Sequence, residues 1–117
     1  MDALDELALI LGTARADLPP VFRFGKPKIL KIGIAADLLA RYPAADGTRL
    51  AAWFVAWTTT PSYLKLTASR YRRNRHDLDN EHAGVISPAH KWAAIQRLRV
   101  MTAAGEIPPL KSRAEAA

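Results

Sequence analysis

The stretch Thr48-Arg49-Leu50-Ala51-Ala52-Trp53-Phe54-Val55-Ala56-Trp57-Thr58-Thr59-Thr60-Pro61-Ser62-Tyr63-Leu64 is the most informative part of this 117-residue chain. Leu50, Trp53, Phe54 and Trp57 recur at i, i+3, i+4 and i+7, which predicts a helix with one apolar face turned to a core. At this spacing the three aromatics read as core and not as a stacking platform. Three β-branched threonines and Pro61 then break the helix. The same proline suits the first turn of a new helix, with Thr60 as its N-cap. Two helices therefore meet at a corner rich in hydroxyl groups.

Working toward the C-terminus, the second helix runs through Tyr63, Leu64 and Thr67, and residues 69–75 form a basic loop. Arg75-His76-Asp77-Leu78, a turn at Asp79-Asn80-Glu81, and Gly84-Val85-Ile86 read as a β-hairpin. Ser87-Pro88 caps a last helix whose apolar positions are Trp92, Ile95, Leu98 and Met101, and Gly105 ends it. Toward the N-terminus, the turn Asp46-Gly47-Thr48 makes Thr48 the expected cap of the aromatic helix. Gly33 opens a helix through Ile34, Leu38 and Leu39 that Tyr42-Pro43 ends. Ile29 to Ile32 alternates apolar and basic, as in a short strand. Prolines at 19, 20 and 27 predict an extended connection over 21–28. The first helix places Leu4, Leu7, Ala8 and Leu11 on one face, reaches Arg15, and stops before Pro19. The expected class is α+β, predominantly α-helical: about five helices with a short hairpin. One compact domain over 1–104 is expected, with a short tail over 105–117.

Half of the residues are apolar, enough for one core at this length. There is no cysteine, which excludes disulfide scaffolds and thiol chemistry. No apolar run approaches the ~18–20 residues of a membrane span, and the acidic start is unlike a signal peptide, so a cytoplasmic location is expected. Lys and Arg number 17 against 11 Asp and Glu, a net charge of +6 and a pI near 10.1. The charge is concentrated. Residues 1–14 carry −3, residues 15–75 carry 12 bases and +9, and residues 76–117 sum to zero. A basic surface of this kind meets a polyanion.

Two constellations carry that expectation. The helix start at Thr60-Pro61-Ser62-Tyr63 offers unpaired N–H groups and hydroxyls to a phosphate, with Tyr63 able to stack or hydrogen-bond. Lys65, Arg70, Tyr71, Arg72, Arg73 and Arg75 interleave cations with an aromatic, as binding of phosphates and unpaired bases requires. His76, Asp77, Asp79, Glu81, His82 and His90 include metal-ligand types, but the segment reads as a hairpin turn, where Asp and Asn serve the backbone. No metal and no cofactor is expected. No nucleophile triad, P-loop or dinucleotide fingerprint is present, so the chain does not read as an enzyme.

In order and spacing, these segments resemble the ProQ/FinO family of bacterial RNA-binding proteins. The residues that carry the resemblance are Pro20-Val21-Phe22, Lys28-Ile29-Leu30-Lys31-Ile32-Gly33-Ile34, Asp37-Leu38-Leu39-Ala40-Arg41, Trp57 to Leu64, Arg75-His76-Asp77-Leu78-Asp79 and Gly84-Val85. They span about residues 20–95. The resemblance implies an RNA chaperone with a basic concave face. It would recognise stem-loops with a single-stranded 3′ end, as in intrinsic terminators, and act in post-transcriptional regulation by small RNAs and mRNAs. By position, Thr58, Thr59, Thr60, Ser62 and Tyr63 would hold the RNA 3′ end. Lys31, Arg41, Arg49, Lys65, Arg70, Arg72, Arg73 and Arg75 would contact the RNA backbone. Gly47, Ala51 and Val55 stand where relatives often carry bases, which shifts the expected stem contact toward residues 65–75. The protein is expected to be monomeric. The alternative is a winged helix-turn-helix DNA-binding regulator, because helix 48–58, helix 60–68 and hairpin 75–87 follow in that order. Its second helix, however, carries only Lys65. A metal-dependent nuclease built on the His/Asp segment and a protein-binding regulator are the remaining readings.

Overall fold

A computed structural model describes residues 2–23, 28–69 and 74–105. The elements in order are α1 (Ala3–Leu11), a 3₁₀ turn (Arg15–Asp17), α2 (Pro20–Arg23), α3 (Ile34–Arg41), α4 (Gly47–Thr58), α5 (Pro61–Ala68), β1 (Asn74–His76), β2 (His82–Val85) and α6 (Pro88–Ala103). The described residues are mainly helical with one antiparallel hairpin, as expected.

The aromatic helix forms where its periodicity places it. Leu50 and Trp53 are buried, while Phe54 and Trp57 pack half-buried against the same core. Trp53 and Trp57 stack at 5.1 Å, and the Trp53 ring meets Phe22 edge-on at 5.8 Å. The main core joins α1, α2, α3, α4 and the hairpin turn through Leu7, Leu18, Phe22, Leu38, Leu50 and Leu78. A smaller core of Leu64, Ala94, Leu98 and Met101 holds α6 against α5.

Thr60 caps α5 by accepting from the Tyr63 N–H, and Ser87 caps α6 by accepting from the His90 N–H. The cap of α4 is Asp46, which accepts from the N–H groups of Thr48 and Arg49, and not Thr48. A carboxylate at this end also complements the helix dipole, which a hydroxyl does not.

Four further expectations are corrected. The first helix stops at Gly12, whose left-handed backbone (φ 71°) lets its N–H reach Ala8 and Leu9. Arg15 therefore turns back to Asp2 (2.5 Å) and Asp5 (3.0 Å) at the start of the helix instead of extending its end. Residues 20–23 are helical and not extended, because Pro20 sits in the first turn, where a proline costs nothing. This turn buries Val21 and Phe22, and the Val21 N–H bonds the Leu78 carbonyl. Residues 29–32 do not form a strand. Only Leu30 pairs, parallel to His76, where Lys31 N–H meets His76 O (2.8 Å) and His76 N–H meets Ile29 O (2.7 Å). On α6 the buried stripe is Ala94, Leu98 and Met101, whereas Trp92 is 56 % exposed, with Arg99 over its ring at 5.5 Å.

Candidate nucleic-acid interface

The peptide of Leu30 organises the site. Its N–H donates to the Tyr63 hydroxyl at 3.0 Å, and its carbonyl accepts from Arg75 Nη1 at 2.8 Å. α5 and β1 are thus fastened to one residue between them in space. Arg75 Nη2 lies 2.8 Å from His90 Nδ1, which draws the start of α6 to the same point. Beside this junction opens a cleft of about 480 Å³. Thr58, Thr59 and Tyr63 form one wall, His90 and Arg97 of α6 form the other, and Arg75 lies at the base. Ile32, 67 % exposed, adds an apolar rim.

The chemistry of the walls follows from their hydrogen bonds. The Thr58 hydroxyl donates to Phe54 O (2.8 Å) and the Thr59 hydroxyl to Val55 O (2.6 Å). With their hydrogens committed to helix carbonyls, both present lone pairs to the cleft. Arg75 is 9 % exposed and has no carboxylate within ion-pair distance among the described residues. Its Nε–H is buried without a partner. Tyr63 is 7 % exposed, and burial pushes its hydroxyl above the usual phenol range. Of the two expected roles, stacking or hydrogen bonding, the buried ring leaves little free face for the first, and the hydroxyl already accepts from the Leu30 N–H.

The hydroxyl cluster expected at the corner is divided. Thr58, Thr59 and Tyr63 meet at the cleft. Thr60 instead lines a different groove, of about 270 Å³ between α1 and α4, together with Glu6, Arg49, Trp53 and Trp57. Ser62 is exposed and lines neither. The expected basic contacts are also dispersed. Lys31 pairs with Asp37 (2.8 Å), and Arg41 pairs with Asp79 (2.9 Å), which lowers the Asp79 carboxyl below its ordinary range. Arg49 borders the α1–α4 groove, and Lys65 is exposed on α5. Arg70, Arg72 and Arg73 lie outside the described residues, as does Tyr71.

The sequence pattern does not mark His90 and Arg97 as facing this cleft. The signal it does hold is their i, i+7 spacing around Ala93 and Ala94, which keeps that face of α6 low. Among the described residues, no group of three or more His, Asp or Glu is gathered to hold a metal ion. His76 and His82 pair across the hairpin, and His90 Nδ1 faces Arg75.

The fold is a mainly helical domain with a hairpin, and its cleft brings Arg75 and Arg97 together. Residues 4–108 match the model of the ProQ/FINO family, so the chain belongs to that family, whose RNA chaperones are non-enzymatic. Among solved structures it is similar to NMB1681 from Neisseria meningitidis MC58, described as a FinO-like RNA chaperone. The TM-score is 0.60 at 28% identity, over 80% of this chain and 75% of that one. No curated protein matches the chain significantly. No helix of the described residues is long and apolar enough to cross a membrane.

Proposed function

We propose that the chain is an RNA chaperone that binds stem-loop RNA through its single-stranded 3′ end, seated in the cleft between α5 and α6. The observation that carries this reading is Arg75. A buried guanidinium with a carbonyl and an imidazole for company, but no carboxylate, is costly unless an anion completes it. The cleft beside it admits one from outside, and a phosphodiester is a suitable counter-ion. The Thr58 and Thr59 lone pairs favour a terminus that donates, such as the free 2′ and 3′ hydroxyls of a last ribose. Ile32 offers that nucleotide an apolar contact. The stem would be held by shape and phosphate contacts, since side chains do not read the major groove of A-form RNA. Arg49 and Lys65 are exposed and would serve here; Arg70, Arg72 and Arg73, outside the described residues, are assigned to the same contacts from the sequence alone. Lys31 and Arg41 would first have to exchange a carboxylate for a phosphate. In this reading the protein works as a monomer in the cytoplasm, on small regulatory RNAs and mRNAs.

A winged helix-turn-helix reading requires α5 to enter a DNA groove, but α6 packs along α5, and Tyr63, Leu64 and Thr67 are buried. The test is a binding competition. A hairpin with a 3′-hydroxyl tail should outcompete both the same hairpin ending in 3′-phosphate and a duplex DNA of equal length. Equal affinity for the two hairpins would remove 3′-end recognition, and preference for the duplex would remove the RNA reading altogether.

A further inference from the structure

Arg75 places only donors around its guanidinium. The 2.8 Å contact between Nη2 and His90 Nδ1 therefore makes Nδ1 the acceptor, and the ring hydrogen sits on Nε2. His90 is exposed and lines the cleft, so this Nε2–H is a donor on the wall opposite the threonine lone pairs. Two turns further along α6, on the same face, stands Arg97, which is exposed and lines the same cleft. Ala93 and Ala94 between them leave room for a strand to lie across the helix. The cleft is thus polarised, with acceptors on the α4–α5 corner and donors on α6.

We propose that α6 supplies a second, donor wall that binds the RNA phosphodiester chain leading into the cleft. His90 is a specificity-determining hydrogen-bond donor, locked in the Nε2–H form by Arg75, and Arg97 is a phosphate contact. This inference rests on the reading of the cleft as the 3′-end site, and it adds a direction to it. A strand entering with its terminal hydroxyls at Thr58 and Thr59 lays its last phosphates on α6. The reverse orientation sets phosphate oxygens against threonine lone pairs. Arg75 then has two tasks: it faces the anion, and it sets the tautomer of its neighbour.

The experiment uses the full chain and a hairpin with a single-stranded 3′ tail, titrated over a range of salt. Arg97→Gln should weaken binding about five- to tenfold and reduce the slope of log K against log salt by about 0.7, the value for one single-stranded phosphate contact. His90→Leu should weaken binding by a similar factor. His90→Gln, which can accept from Arg75 and still donate outward, should restore most of it. Long-range nitrogen–proton NMR correlations should show the Nε2–H tautomer in the free protein, with the His90 Nε2 resonance moving on addition of RNA. An unchanged salt slope in Arg97→Gln, or His90→Gln binding as weakly as His90→Leu, overturns the donor wall. The comparison of 3′-hydroxyl with 3′-phosphate RNA on the wild-type chain is independent of these results. If that preference survives while the α6 variants bind normally, the cleft is the 3′-end site and only the α6 wall is wrong. If the preference is absent, the 3′-end reading fails, and the salt slope alone decides whether α6 binds phosphate.

Discussion

Tyr63 and Arg75 are the residues whose roles differ most from their sequence-level appearance. Each is a side chain of a type that meets RNA, and each is instead bonded to the Leu30 peptide. For Tyr63 the consequence is measurable without RNA. Tyr63→Phe keeps the ring but leaves the buried Leu30 N–H without an acceptor, so it should cost about 1–3 kcal/mol in urea unfolding. The hydroxyl has a second signature. Burial raises its folded pKa above the ordinary value of 10.0, so the stability it contributes is fully present below that value. It is lost as pH rises through the higher folded value. Alkaline unfolding should therefore be steeper in the wild-type protein than in Tyr63→Phe, and ultraviolet titration should find one tyrosine ionising last. Arg75 ties β1 to Leu30 and α6, and in the proposed reading it also faces the RNA. Arg75→Ala and Tyr63→Ala should each lower RNA affinity by about 1–3 kcal/mol, but for Tyr63 the loss comes through the support of the cleft and not through a lost stack.

At the scale of elements, the ends of helices decide which charges are free. Gly12 ends α1 early enough for Arg15 to fold back onto Asp2 and Asp5, so this cation of the positive segment is spent on a helix start. The Arg41–Asp79 pair joins the end of α3 to the hairpin turn. It is exposed, so it adds little to stability, but it occupies a cation that the RNA reading needs. Asp79→Asn should therefore leave thermal stability nearly unchanged. It should tighten hairpin binding by about two- to threefold, because one guanidinium is freed for phosphate. Unchanged or weaker binding would remove Arg41 from the RNA contacts. Gly33, the N-cap of α3, has φ 84°, and nothing lies within 4 Å of where a Cβ would stand. Replacing it with Ala should cost about 1 kcal/mol through backbone strain alone.

Across the whole molecule, the two cores are unequal, and the cleft lies at their boundary. α6 is held chiefly by Leu64, Ala94, Leu98 and Met101, with Lys91 reaching the Ser69 carbonyl at 2.7 Å. A helix on so small a core should open before α4, which is packed into the main one. Hydrogen exchange should therefore show α6 amides exchanging ahead of those in α4. RNA bound across the cleft should slow exchange in α6 most. Leu98 is 1 % exposed, and Leu98→Ala should cost about 2–5 kcal/mol and release this wall.

Local pattern was sufficient for the helix around Trp53, the break at Thr60-Pro61, the Ser87 cap and the hairpin. These rest on short-range forces: side-chain periodicity, φ restrictions, caps between residues three or four apart, and for the hairpin a local turn that brings together strands whose partners are at most eleven residues apart. Motif order also singled out Thr58, Thr59, Tyr63 and Arg75, which the structure brings to one cleft. What the local pattern concealed was the short helix at Pro20, the single-residue pairing at Leu30 and the α6 face carrying His90 and Arg97. Each is selected by a distant surface: Val21 by Leu78, Leu30 by Tyr63 and Arg75, and His90 by Arg75. The same reason divides the +9 segment. Whether a cation faces solvent, a carboxylate or a buried carbonyl depends on partners as far away as 38 residues for Arg41 and 45 for Arg75. Charge is a property of composition, but its availability is decided by long-range contacts, and those exist only once the chain has folded.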